Sequence, residues 1–416
     1  MLPIAVGLLT LWSGARAADL IVEENGVLPN YATIQAAVTA ANSGDRIFVK
    51  NKAGNVPYQE NVTITKSLSI LSFDADGVYY TYGNYTLNPV ANGEINIIGM
   101  YNQSGSVSAF AASTLTTPTR VNFVNNTLVS GSFNSNQLGW VAHVAGNVIS
   151  GSITTRTATI TGNLVTAGIT VADVGGAVTG YPEDTLYVVG NRVTALAGGA
   201  GSGGITWSND DDYFMINNNM VFITGTHNIT LGTFKAGTGV NSVENNSVEN
   251  NTAGSIYGMT FGTIPTGTTL KITNNSMYDN YTQESWTQYA FNFGTINTGT
   301  FVSLNYNVYR NWGSGLTNAS GVTVSMTGNA LGGVSFNSND VSGQCTAPEC
   351  VNLGSPSTDY TDLDLSRNDV GTAGGSYNFN NFWPNQTGGA RVYLVKTPRT
   401  VVQSSTINAK ADSYDR

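Results

Sequence analysis

The chain has 416 residues, only 10% of them charged, where an ordinary soluble domain carries about 25%. With 48 glycines and 41% hydrophobic residues it is too apolar for a disordered chain and suits a long stack of short strands and turns. The net charge of −9, with only 17 Lys and Arg, argues against a basic groove for nucleic acid.

The chain opens on a short apolar run, Leu2 to Trp12, and a small-x-small site, Ala15-Arg16-Ala17. This reads as an export signal over residues 1–17, with a short buried strand as the alternative. No later stretch is long and apolar enough to span a bilayer. A secreted or cell-surface location follows. A cap is expected at about 31–42, where Ile34, Ala37, Val38 and Ala41 keep helical spacing behind Thr33 as N-cap. Strands of period two begin at Arg46 and continue through Val62-Thr-Ile64 and Leu68-Ser-Ile70.

The body of the chain repeats. Its markers are Asn126, Asn147, Asn163, Asn191, Asn219, Asn246, Asn275, Asn307 and Asn329. The residue before each is Gly or Asn, except Tyr306, which predicts a left-handed bend. Every residue three before a marker and every residue two after it is apolar or aromatic. Each unit therefore reads strand, bend, strand, and stacking such units gives a parallel β-helix with the asparagines in a coil-to-coil ladder. Positions four and two before the marker then face outward, and among them only Glu244 and Lys271 are charged.

The segment YATIQAAVTAANSGDRIFV, followed by NVTITKSLSIL, resembles the start of the pectin-lyase-like right-handed parallel β-helix superfamily. GSPSTDYTDLDLSRNDVGTAGG, Gly354 to Gly375, resembles the closing segment of bacterial secreted and surface β-helix repeat proteins. The expected fold is all-β: a single-stranded right-handed parallel β-helix over 18–383, with a short N-terminal capping helix and closing segment 354–375. Residues 384–416 read as a C-terminal strand segment, either a linker with the start of an incomplete Ig-like domain or a strand packing back on the helix. Cys345 and Cys350 read as a local disulfide, with two free thiols as the alternative.

The superfamily includes lyases, hydrolases, esterases and adhesins, so the resemblance leaves activity open. Asp359, Asp362, Asp364, Arg367 and Asp369 suggest Ca²⁺ or, more simply, Arg367 paired with neighbouring carboxylates. Trp207, Asp210, Asp211, Asp212 and Tyr213 form a candidate ligand-binding cluster, with a solvated loop as the plainer reading. Glu249, Asp279 and Arg310 lie three or four positions after their markers and form a candidate catalytic strip, with an exposed salt-bridged strip as the plainer reading.

The leading expectation is a non-catalytic adhesion or glycan-binding scaffold, monomeric, engaging an extracellular polysaccharide or cell-surface glycan. The alternative is a lyase or glycoside hydrolase acting on an extracellular acidic polysaccharide. Ice binding, suggested by Thr154, Thr155, Thr157, Thr159 and Thr161, is set aside: that run spans about one coil, and a flat ice-binding face needs Thr repeated across many.

Overall fold

The computed structural model describes residues 17–74, 77–109, 117–172, 185–195, 203–223, 227–250, 256–279, 288–310, 316–317, 324–331, 345, 348, 350–375, 377, 381–382, 391–396 and 409–414. The expected leader lies outside them, apart from Ala17.

Among the described residues three long parallel sheets, of 13, 12 and 11 strands, form the body of the fold. Sheet A runs from Asp19–Val22 to Ser325–Thr327, sheet B from Tyr58–Gln59 to Ala330–Leu331, and sheet C from Val62–Ile64 to Leu316–Thr317. Each coil passes through A, B and C in turn and then returns to A, one strand further along. The fold is a parallel β-helix.

The bend from sheet A to sheet B explains the marker. Gly146, Gly162, Gly190 and Gly328 have φ between 60° and 66°, and Asn125, Asn218, Asn245, Asn274 and Tyr306 between 53° and 59°. This left-handed residue turns the following asparagine into the core. From Asn126 to Asn307, each marker's backbone N–H donates to the Oδ1 of the next marker at 2.8–3.0 Å. Its Nδ2 donates to the same oxygen at 2.9–3.1 Å. Nδ2 also reaches a sheet A carbonyl of the preceding coil, as Asn219 reaches Val188 O at 2.7 Å. Buried amides are thus satisfied by other buried amides. The ladder starts beyond its first asparagine, because Asn126 Oδ1 also accepts from Met100 N of the coil before.

The apolar columns lie where the repeat places them. Phe123 through Ile272, three before the markers, are fully buried, as are Leu128 through Met277, two after. The exceptions lie at the C-terminal end: Tyr309 is half-buried, and Met326 is 57% exposed in the terminal strand of sheet A. At the opposite end, the helix Ile34–Ala40 closes the core with Ile34, Ala37 and Val38. Glu60 accepts from the N–H groups of Ile34 and Gln35, while Lys66 Nζ donates to the carbonyls of Val38, Thr39 and Ala41. Opposite charges therefore sit at the two ends of the helix dipole.

Segment 354–375, expected as a closing segment, runs along the flank of the stack over the A-to-B bends, back toward the N-terminus. Ser355 N donates to Asn274 Oδ1, Asn245 Nδ2 to Asn368 Oδ1 and Asp369 O, and Asn218 Nδ2 to Gly374 O. Further on, the Phe382 ring lies against Gly162 and Gly190, where any Cβ would collide with it. Asparagine bends hold this strap and glycine bends make room for it. Arg367 pairs with the carbonyls of Leu353 and Gly354 and not with carboxylates. Cys345 and Cys350 are joined in a disulfide. Arg391–Lys396 and Lys410–Tyr414 form an antiparallel pair within the expected C-terminal strand segment.

Two outcomes are expected. Asn219→Ala leaves Asn191 N–H buried without its acceptor, a loss of about 1–3 kcal/mol, and lowers the thermal midpoint more than Asn329→Ala at the half-buried last rung. Equal midpoints for the two variants would contradict the ladder. Gly190→Ala displaces Phe382 and speeds proteolytic release of the strap, as does Phe382→Ala; cleavage at the wild-type rate in both would show that the ring does not hold it.

Candidate functional site

Sheet C leads back into sheet A through a tight corner, and the Asp210–Asp212 run occupies one such corner, Asn209–Asp212. Asn209 is fully buried; its Oδ1 accepts from the N–H of Asp211 at 2.8 Å and of Asp212 at 3.2 Å. Its Nδ2 donates to Asp212 Oδ2 and to Arg156 O. Arg156 occupies an earlier corner on the same edge, between Ser152–Thr155 and Thr157–Thr161, and is buried. Its Nη2 meets Asp211 Oδ2 at 2.7 Å.

Trp207 is fully buried, donates from Nε1 to Asn209 O at 2.7 Å, and packs its ring on Phe214 with centroids 5.0 Å apart. It is a core residue and presents no sugar platform. Its alternation with Ile205 in a single strand is the signal that places it inside. The Tyr213 ring is half-buried beneath Lys235 Nζ, 4.8 Å from its centroid, and contacts Gly239. Asp210 alone of the three carboxylates is exposed. The cluster is therefore an internally paired corner, more ordered than a solvated loop.

The Glu249, Asp279 and Arg310 strip does not form a single row. Glu249 pairs in register with Tyr278, and Tyr278 with Arg310, whereas Asp279 pairs with Asn250. Three and four residues after a marker are opposite faces of a strand. Asp279 therefore shares the inward face of Met277, is fully buried, and accepts from Asn250 Nδ2 at 2.9 Å. Glu249 is 4% exposed, so the exposed strip is absent at that position too. Glu249 and Arg310 stand two strand spacings apart, about 9–10 Å along the sheet, with a tyrosine position between them.

The row two before the marker, expected to face solvent, is covered as far as Thr273, with Asn305 half-buried and Thr327 exposed at the end of the sheet. Leu71, Ile98, Val124 and Ala145 form an apolar cluster, and Asn217, Glu244 and Thr273 are buried further along. Glu244 accepts from Tyr360 Oη of the strap at 3.0 Å and from Asn217 Nδ2 at 3.3 Å. A recess on the outer face of sheet A, lined by Arg120, Val141, His143, Thr157 and Thr159, has a volume of about 30 Å³.

Among the described residues no three His, Cys, Asp or Glu side chains are grouped to hold a metal. In the strap Asp362 accepts from the N–H groups of Asp369 and Gly375, Asp369 from Asn352 N, and Asp364 from Ser366 N. Three of the aspartates suggested for Ca²⁺, Asp362, Asp364 and Asp369, thus tie the strap to itself.

Burial pushes Asp212 up to about 6, against the pull of Asn209 and Lys235, and burial also pushes Asp362 up to about 6. Both titrate near 3.8 when unfolded, so between about pH 4 and 6 the folded chain binds more protons than the unfolded one. Their joint contribution is full below pH 4 and is lost as the pH rises through 6. Asp212→Asn is expected to flatten the fall in melting temperature across that window; an unchanged slope would remove Asp212 as its source. No family model, curated protein or solved structure matches the chain.

Proposed function

We propose that the chain is a secreted or cell-surface member of the pectin-lyase-like superfamily that acts as a non-catalytic adhesion or glycan-binding scaffold. One observation carries this reading: four of its carboxylates are committed to the framework. Asp211 is held by Arg156, Asp212 by Asn209, Asp279 by Asn250 and Glu244 by Tyr360. General acid–base cleavage of a polysaccharide needs carboxyls that reach the bond and the attacking water. Here these groups instead fix corners, strands and strap. A long rigid stack with its acids so occupied is suited to presenting an extended surface to a polymer.

The test is a panel of acidic and neutral polysaccharides offered to the purified chain with Ca²⁺ and with chelator, reading both retention and product. Retention without new reducing ends or unsaturated uronates is expected in both conditions. Release of products, abolished by Glu249→Gln or Asp211→Asn, would replace the scaffold by a lyase or hydrolase using those residues.

A further inference from the structure

The outer face of sheet C carries a file of side chains that stays in step along the whole sheet. Five successive strands place Thr154, Thr170, Thr206, Thr230 and Thr260 directly beside one another in register. In both directions the same position holds only Thr, Ser or Asn, back to Thr63 and on to Thr317. Eleven strands at about 4.8 Å make a file of roughly 48 Å. The five threonines are partly exposed, while their neighbours Ile153, Ile169, Ile205, Ile229 and Met259 are buried.

Two independent observations say what such a face fits. No described strand of sheet C contains Asp, Glu, Lys or Arg, whereas sheet A carries Arg46, Glu94, Arg120, Glu244 and Lys271. The positions two before the threonines are small, Ser152, Gly168, Gly204, Asn228 and Gly258, so no bulky side chain rises beside the file. The outward positions beside the file are neutral and carry none of the aromatic rings on which sugars stack. A β-branched threonine has few rotamers, so each strand fixes one methyl and one hydroxyl at a repeated position. Water over the methyls has no partner below and bonds to its neighbours; the hydroxyls of Thr154, Thr170, Thr206 and Thr230 anchor that layer at the strand repeat, while that of Thr260 is turned out of solvent. A charged side chain would orient water around itself and break the pattern.

We propose that this face binds ice, by holding a water layer that merges with the lattice of a crystal surface. The inference goes beyond the scaffold reading and stands on sheet C alone. It also supplies what the threonine run in one coil lacked, a file repeated from coil to coil.

The test uses the full chain: thermal hysteresis, ice-crystal habit, and partition into a slowly growing ice front. Wild type is expected to facet crystals and enter the ice. Thr206→Tyr should lower thermal hysteresis several-fold, Thr170→Tyr/Thr206→Tyr/Thr230→Tyr should abolish it, and Thr127→Tyr on sheet B should leave it intact. If the tyrosine variants lose the wild-type melting transition, Thr206→Ser, which keeps the hydroxyl and removes the methyl, should still melt normally and lower the activity. Rounded, unshaped crystals with wild type overturn the proposal, as does full activity in the triple variant or in Thr206→Ser. Retention on insoluble cellulose lost in the triple variant, with no effect of wild type on ice, would assign the face to crystalline glycan instead. Soluble-glycan retention that survives the triple variant while ice activity is lost supports ice binding, and shows that the two readings stand or fall separately.

Discussion

A buried side-chain amide that closes the backbone of the neighbouring coil is the interaction on which the rest of this structure depends. Each marker asparagine brings an acceptor to the preceding turn and a donor to the preceding sheet A strand. Without it, every A-to-B bend would bury an N–H and a carbonyl with no partner, at a cost of about 1–3 kcal/mol per group. The left-handed residue before the marker aims this amide inward, and the apolar columns on both sides exclude water from it. The ladder therefore sets where coils may vary. Markers can be 16 or 32 residues apart, because insertions fall elsewhere in the coil and leave the bend unchanged.

The same bends have a second surface, used by the strap. Glycine and asparagine are equivalent for the backbone at a left-handed position, but they differ on the outside. Asn218, Asn245 and Asn274 offer amides that the strap engages; Gly162 and Gly190 offer bare backbone on which Phe382 rests. The choice between the two residues thus follows what lies above the bend. Glu244, an apparent outer-face charge, is part of this contact through Tyr360.

The parts legible in the sequence are those set by short-range geometry. Marker, left-handed neighbour and flanking apolar positions lie within a few residues of one another, so one alignment recovers the bend and the core of sheets A and B. A single-residue offset hid the true position of Asp279, since three and four after the marker are opposite faces. The threonine file of sheet C escaped the alignment for a related reason: Thr154 follows Asn147, and Thr206 follows Asn191, through segments of different length, so the column exists only in the stacked chain. The strap was illegible because its partners are 154 residues away, as for Asn218 and Thr372. Nothing in the Asp210–Asp212 run points to Arg156, buried 55 residues earlier in the chain.

The ladder also has a direction. Every marker's oxygen receives from the coil before it, so each bend is completed only when the next coil arrives. A chain that leaves its site of synthesis N-terminus first presents coils in that order. Growth of the stack then leaves a single unfinished rung at the advancing end, behind which all amides are already closed. Assembly in this protein resembles the closing of a zip, in which the chain's own polarity decides which end is pulled.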